Sequence, residues 1–342
     1  MTLSMNHLFF HPERIRQNKS LRDLVQETHL EVRDLVCPIF LVQGHGIQES
    51  ITSMPGVFRY SVDKAVDFVR ENRDQGLVSF LLFGVIENHL KDSTGHLAYH
   101  SQGPVPQALS LLSREFPDLL FMADACFCEY TDHGHCGPRD PSEKGALLNS
   151  RNIEMTHRGL AEIATCYAEA GAQIIAPSIA LDGMVQTVRE ALDRKGHFKT
   201  AICSYAVKYA SSFYGPFREA AGSTPEKGTD RKTYQMNPAN KKEALLEASL
   251  DVEQGADLLL IKPAISYLDV LSEVSKKSVV PVGAYQVSGE YAMIKAAGEK
   301  NWVQEDHVFY ESLLSIKRAG AKFIVSYWAP RFAEIHKSRS FL

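Results

Sequence analysis

Three cysteines stand within eleven residues, in the stretch Asp124-Ala-Cys126-Phe-Cys128-Glu-Tyr-Thr-Asp-His133-Gly-His135-Cys136-Gly137. Thiolates on one short loop can converge on a soft or borderline cation, and zinc suits them best. Three protein ligands leave a fourth position open, as a catalytic zinc requires. A closed structural site would recruit His133 or His135 as the fourth ligand, and a plain cysteine-bearing loop would hold no metal. Spacing alone leaves these alternatives open.

Two lysines carry a second kind of chemistry. Lys262 ends the apolar run Asp257-Leu-Leu-Leu-Ile261 and precedes Pro263; Lys208 follows Ser204-Tyr205-Ala206-Val207. Among apolar neighbours an amine loses hydration, which favours its neutral form, the nucleophile that makes a Schiff base with a carbonyl. On neighbouring strands of a barrel Lys208 and Lys262 should approach each other, and repulsion between two ammonium groups favours the free amine on one of them. The ordinary reading of either lysine alone is a side chain reaching from a strand end to solvent. After Lys208 come Phe213-Tyr214-Gly-Pro-Phe-Arg218 and a stretch rich in Gly, Ser, Pro and Lys that runs to Asp230-Arg231-Lys232. This reads as a mobile loop, a lid, flanked by two arginines suited to gripping a carboxylate. Ser178, Asp182, Ser288 and Tyr327 follow or end later strands as polar residues; Ser288 also suits the N-cap of a helix starting near Glu290.

These groups need a scaffold that brings distant segments to one place. Short, mostly continuous apolar runs occur at 36–42, 78–84, 119–123, 173–177, 200–205, 257–262, 280–286 and 322–328. Continuous runs suit strands buried on both faces of a parallel sheet. Amphipathic segments lie between them. The segment 62–72 follows Ser61 as an N-cap, and 153–170, 241–254 and 308–319 end at Gly171, Gly255 and Gly320. Eight strands alternating with helices predict an α/β protein, a (β/α)8 TIM barrel. The alternative, a doubly wound open sheet, would be expected to carry a glycine-rich turn after its first strand, and none is present. The Cys loop then follows the third strand, and all of these groups gather at the C-terminal mouth. The segment before residue 31 is polar and charged and reads as an N-terminal extended arm with a short helix around 21–28. The domain division is 1–30 for the arm and 31–342 for the barrel. An arm with no place in its own barrel packs on a neighbour, which predicts a homo-oligomer.

The 37 basic and 41 acidic side chains among 342 residues leave a net charge of −4, which argues against nucleic acid as a partner. No apolar run approaches the roughly 18 residues of a membrane span, and the N-terminus lacks the pattern of a signal peptide. A cytoplasmic protein with no membrane partner is the expectation.

The strings Cys126-Phe-Cys128-Glu-Tyr-Thr-Asp-His-Gly-His-Cys136-Gly, Ser212-Phe-Tyr-Gly-Pro-Phe-Arg218, Asp230-Arg-Lys-Thr-Tyr-Gln-Met-Asn-Pro238, Lys262-Pro263 and Tyr285-Gln-Val-Ser-Gly-Glu-Tyr291 resemble the porphobilinogen synthase, or δ-aminolevulinic acid dehydratase, family. The likeness runs from about residue 11 to about residue 330. It implies condensation of two 5-aminolevulinate molecules into porphobilinogen with loss of two waters, a step of tetrapyrrole (haem) biosynthesis. It further implies Schiff bases at Lys262 for the propionate-side substrate and at Lys208 for the acetate-side substrate, and an active-site zinc on Cys126, Cys128 and Cys136. Arg218, Arg231 and Gln235 would bind one substrate carboxylate beneath the lid, and Tyr214 is a further implied substrate-binding residue. Ser288 and Tyr327 would bind the other carboxylate, with Asp124 and Ser178 near the reacting amino groups. Glu247 matches the ligand of an outer magnesium site, and an octamer is the implied assembly. The arm begins His11-Pro-Glu-Arg-Ile-Arg16 rather than with several arginines, and Ile179 stands where many members have aspartate.

Two other readings compete with this one. A class I aldolase-type barrel needs one lysine and no thiolate cluster. A non-catalytic barrel that binds metal or organises an assembly needs neither lysine.

Overall fold

The computed structural model describes residues 11–139 and 151–336. The strands, in chain order, are β1 (Leu35–Val42), β2 (Gln48–Ser50), β3 (Phe58–Ser61), β4 (Ser79–Val85), β5 (Leu120–Ala125), β6 (Ile174–Pro177), β7 (Ala201–Lys208), β8 (Leu258–Lys262), β9 (Val282–Gln286) and β10 (Ile324–Ser326). The helices are α1 (Lys19–Leu24), α2 (Val62–Asp74), α3 (Pro104–Glu115), α4 (Ile153–Glu169), α5 (Met184–Arg194), α6 (Gly215–Ala220), α7 (Lys242–Glu253), α8 (Leu268–Lys277), α9 (Ser288–Glu299), α10 (Glu305–Arg318) and α11 (Ala329–His336).

Strands β1, β4, β5, β6, β7, β8, β9 and β10 pair in parallel in that order, and β10 pairs back to β1 at Leu35↔Ile324 and Val36↔Val325. The sheet is therefore a closed (β/α)8 barrel. Its strands read as unbroken apolar runs because inner faces fill the barrel and outer faces meet helices. All seven residues of β4 are buried. The core continues outward through Phe309, Trp328 and Phe332, with Trp328 stacked on Phe309 at 5.0 Å between ring centroids.

Each expected strand is present within a few residues. Lys208, expected just past its strand, is the last residue of β7. Unforeseen was the hairpin β2–β3 in the first βα connection. β10 is only three residues long, so it covers just the start of β1. β3 takes the vacant edge farther along, pairing in parallel at Phe40↔Arg59. Its residues alternate too weakly for periodicity to reveal it.

Helix caps needed two corrections. Ser61 occupies the N-cap position of α2 without capping it, because its hydroxyl donates to Asp63 Oδ1 (2.6 Å) and accepts from Ile47 N (2.8 Å). Ser288 is the first residue of α9 rather than its cap; Val287 holds that position, and Glu290 Oε2 accepts from Val287 N at 2.8 Å. In the arm, α1 starts earlier than expected because Asn18 caps it, accepting from Leu21 N at 2.9 Å. No described helix is long and apolar enough to cross a membrane.

Candidate active site

The two lysines are register partners. Lys208 on β7 pairs with Lys262 on β8 at the C-terminal mouth, and both are buried. Strand pairing, rather than any local sequence feature, brings residues 54 positions apart side by side.

Lys262 sits in a box of aromatic rings. Its Nζ lies 4.4 Å from the centroid of Tyr285, 4.9 Å from Phe217, and 5.3 Å from both Tyr205 and Tyr214. Burial first, and the neighbouring Lys208 second, pull its amine down to about 7 from the ordinary lysine range. Such an amine is substantially neutral near pH 7 and therefore nucleophilic. The Lys262–Pro263 peptide bond is cis. Beyond it, Glu290 Oε1 accepts from Ile265 N at 2.7 Å, so one buried carboxylate ties the segment after Lys262 to the start of α9.

Lys208 donates through Nζ to the Ser178 carbonyl. Ser178 Oγ in turn donates to Asp124 Oδ2 at 3.1 Å. Burial and the nearby Glu129 push the Asp124 carboxyl up to about 7, against the pull of both lysines. Such a group can exchange a proton close to neutrality.

The thiols lie on the adjoining loop after β5. Cys126, Cys128 and Cys136 are buried and bring their sulfurs within 4.8 Å of one another, with Cys126 and Cys128 at 3.4 Å. Burial drives the Cys126 thiol upward, and sharing hydrogen bonds with the other two thiols does the same for Cys128. The thiols at Cys126 and Cys128 donate toward Cys136, which lies well below the ordinary thiol range, and the Arg231 guanidinium assists. Three buried sulfurs of which one readily ionises fit a thiophilic cation, which would replace these protons and relieve the crowding of charge. Gly134 permits the loop's tight course: its φ is +69°, and a side chain there would meet the Thr224 carbonyl oxygen at 2.4 Å. Arg151 braces the loop from behind, donating to the carbonyls of Cys136 (3.1 Å), Ile179 (2.7 Å) and Ala180 (2.6 Å). His133 and His135 do not complete a four-ligand set. His135 Nδ1 and Nε2 pair instead with Tyr234 Oη (3.0 Å) and Thr229 Oγ1 (3.1 Å).

The lid folds over this mouth. Arg231 donates to the carbonyls of Gly134 and Ser223, each at 2.7 Å, and is buried. Asp124, Cys128, Ser178, Lys208 and Lys262 line one small chamber. From the lid side Tyr214, Phe217, Arg218, Arg231 and Gln235 line it as well. Several polar atoms here are buried without a partner: Asp124 Oδ1, Tyr205 Oη, Arg218 Nε, Arg231 Nε and Gln235 Nε2. Buried polar groups without partners are costly, so such a concentration marks a place built for a polar ligand.

Ser288 and Tyr327 are buried and do not line this chamber, but each bonds a residue of the ring box around Lys262. The Ser288 hydroxyl accepts from Phe217 N (2.9 Å) and donates to the Phe213 carbonyl (3.3 Å), while Tyr327 Oη pairs with Tyr285 Oη at 2.8 Å. Glu247 is half-buried on α7, beside a cavity also lined by Asp182, Glu243 and Asp251. Burial raises its carboxyl above the ordinary range, and Asp182 and Glu243 add to the effect. Of the aromatic box only Tyr214 was a candidate from the sequence; Tyr205, Phe217, Tyr285, Glu129, Glu290 and Arg151 were given no role there. The tyrosines and phenylalanines look like ordinary core, and only their position around a lysine distinguishes them.

A barrel mouth with paired buried lysines, one of them a nucleophilic amine, a thiol cluster fit for a metal and a lid bearing arginines defines an enzyme of carbonyl condensation. The family model for delta-aminolevulinic acid dehydratase matches residues 10–335. A protein of that name from Bacillus subtilis is 47% identical over 325 residues, covering 95% of this chain and 97% of the relative. One from Synechococcus elongatus is 46% identical, covering 93% and 96%. The solved structure of the Toxoplasma gondii enzyme, described as a complex with the reaction product porphobilinogen, superposes with a TM-score of 0.92 at 39% identity, covering 97% of this chain and 94% of that one. The chain belongs to the delta-aminolevulinic acid dehydratase family.

Proposed function

We propose that this chain condenses two molecules of 5-aminolevulinate into porphobilinogen in the cytoplasm, as a step of tetrapyrrole biosynthesis. The observation that carries this reading is the lysine pair Lys208↔Lys262, buried at one register position and facing the thiol cluster. Each amine attacks the ketone carbon of one substrate. The carbonyl oxygen leaves as water and an iminium remains, so two such steps account for the two waters lost. An iminium acidifies the neighbouring C–H bonds and makes its own carbon electrophilic, which is what joining two ketones requires. The new C–C and C–N bonds close the ring, and both lysines are released as free amines.

The surrounding residues have roles that follow from their positions. The aromatic box keeps Lys262 unhydrated and presents ring faces to the cationic iminium. Asp124, joined to Ser178 and close to both lysines, accepts and returns protons near the substrate amino groups. Arg218, Arg231 and Gln235 hold the carboxylate of the Lys208-bound substrate under the lid, beside Tyr214. Ser288 and Tyr327 receive the carboxylate of the Lys262-bound substrate, which requires exchange of their present hydrogen bonds. Fixing two small anions in register removes an entropic barrier of roughly several kcal/mol.

Cys126, Cys128 and Cys136 would hold zinc, which supplies Lewis acidity near the Lys208-side substrate when bound. Glu247, beside Asp182, would hold magnesium at an outer site. The division into an arm, 1–30, and a catalytic barrel, 31–342, runs beyond the described residues at both ends; the arm packs on neighbouring copies in an octamer. Support for this comes from Leu24, Ile15 and Val25, which are large apolar side chains exposed on the arm.

The decisive experiment is a colorimetric pyrrole assay on metal-stripped protein with zinc and magnesium added separately. Product with zinc is expected, and no product under any metal condition would refute the reading.

A further inference from the structure

The lid helix is tied from outside the chamber by the β2–β3 hairpin. Arg59 on β3 donates through Nε to the Ala220 carbonyl and through Nη2 to the Glu219 carbonyl, both at 2.7 Å. These are terminal carbonyls of α6, the lid helix, at the end where the backbone dipole favours a cation. The third arm of the guanidinium meets Glu49 Oε1 at 2.8 Å, across the β2–β3 ladder, which fixes its direction. A second cation comes from the next loop of the barrel: Lys91 Nζ donates to the Gly222 carbonyl, just past α6. The same short helix carries Phe217, against Lys262, and Arg218, in the chamber wall.

We propose that Arg59, on the last carbonyls of α6, and Lys91, on the Gly222 carbonyl just past it, are positioning residues that clamp the C-terminal end of the lid helix and thereby hold Phe217 and Arg218 in their closed places. The clamp joins the first and second βα connections to the fifth. Its bonds run to backbone, so they depend on the conformation of the lid rather than on its side chains. Substrate reaches the enclosed lysines only when the clamp releases, and the clamp's strength therefore sets how often the chamber is closed around its contents. What lies beneath the lid rests on the function proposed above; the anchoring itself is measurable without turnover.

The test combines hydrogen exchange with kinetics on the full-length protein. In Arg59→Ala, the amides of Ala221, Gly222 and Ser223 are expected to exchange about tenfold faster, with β4 unchanged. KM for 5-aminolevulinate is expected to rise about tenfold while kcat changes less than about threefold. Arg59→Lys should recover part of both effects, and Lys91→Ala should reproduce a smaller version. Unchanged exchange at 221–223 in both Arg59→Ala and Arg59→Ala/Lys91→Ala would overturn the clamp. Acceleration spread equally over the whole barrel would overturn it as well, since that reports general destabilisation. Absence of pyrrole from the unsubstituted protein would instead sink the functional reading and leave the exchange result standing.

Discussion

Lys262 shows how surroundings convert an ordinary side chain into a reagent. Four aromatic rings exclude water, and the lost hydration together with repulsion from Lys208 outweighs the attraction of Asp124 and Glu129, so the charged form is disfavoured. With the amine lowered to about 7, its nucleophilic fraction grows as pH rises through that value. The rate of borohydride-trapped adduct at Lys262 should therefore increase from pH 6 to pH 8 and level off above. A rate flat over that interval would show that the amine is not the titrating group. Lys262→Ala should abolish the adduct at position 262, leaving any trapped mass on Lys208 alone, and lower turnover by at least about a thousandfold, as loss of a covalent nucleophile does. Replacing Cys128 by serine tests the thiol site separately: zinc bound per chain, measured by atomic emission on dialysed protein, should fall toward zero. The cysteines and lysines were legible in the sequence because their types and spacing are unusual. The ring box was not, because a phenylalanine beside a lysine in space has no trace in local order.

At the scale of elements, α9 and the lid meet in a contact that leaves no slack. A Cβ on Gly289 would lie 2.5 Å from the Phe213 carbonyl oxygen and 2.8 Å from its Cα, both backbone atoms that cannot swing aside. Gly289→Ala should cost about 1–3 kcal/mol by forcing the two elements apart, measurable as a lowered denaturant midpoint. Because Ser288 Oγ bonds Phe217 N next to this contact, the same variant should bind substrate more weakly. The barrel strands and most helices were readable from apolar runs and terminal glycines. The hairpin β2–β3 was not, because it exists to fill the edge left by the brevity of β10, a fact of pairing rather than of propensity.

For the whole molecule, closure of the sheet decides where everything else falls. Pairing of β10 with β1 completes the ring and buries Trp328 against Phe309 and Phe332 just outside it. The arm stands apart from this core: from His11 to Ser20 its residues are exposed. Its removal should leave the barrel intact and shift the assembly. Deletion of residues 1–17 is expected to yield smaller particles in sedimentation velocity with an unchanged far-ultraviolet spectrum of the barrel. An unaltered sedimentation coefficient per protomer mass would refute a role for the arm in assembly.

The sequence by itself determined the alternation of strands and helices and the chemistry on offer: three thiols, two lysines and a lid with arginines. These follow from local patterns, because burial on both faces of a parallel strand and metal-compatible spacing are both written in consecutive residues. The strand order read from the sequence already brought Lys208 and Lys262 near each other; only the tertiary structure decided that they share one register position and that aromatic rings enclose one of them. It also decided that His133 and His135 turn away from the thiol cluster, and that a cation from the first βα loop grips the lid helix. Each of these depends on which strands become neighbours when the barrel closes. That choice is made by packing the whole chain, not by any single segment of it.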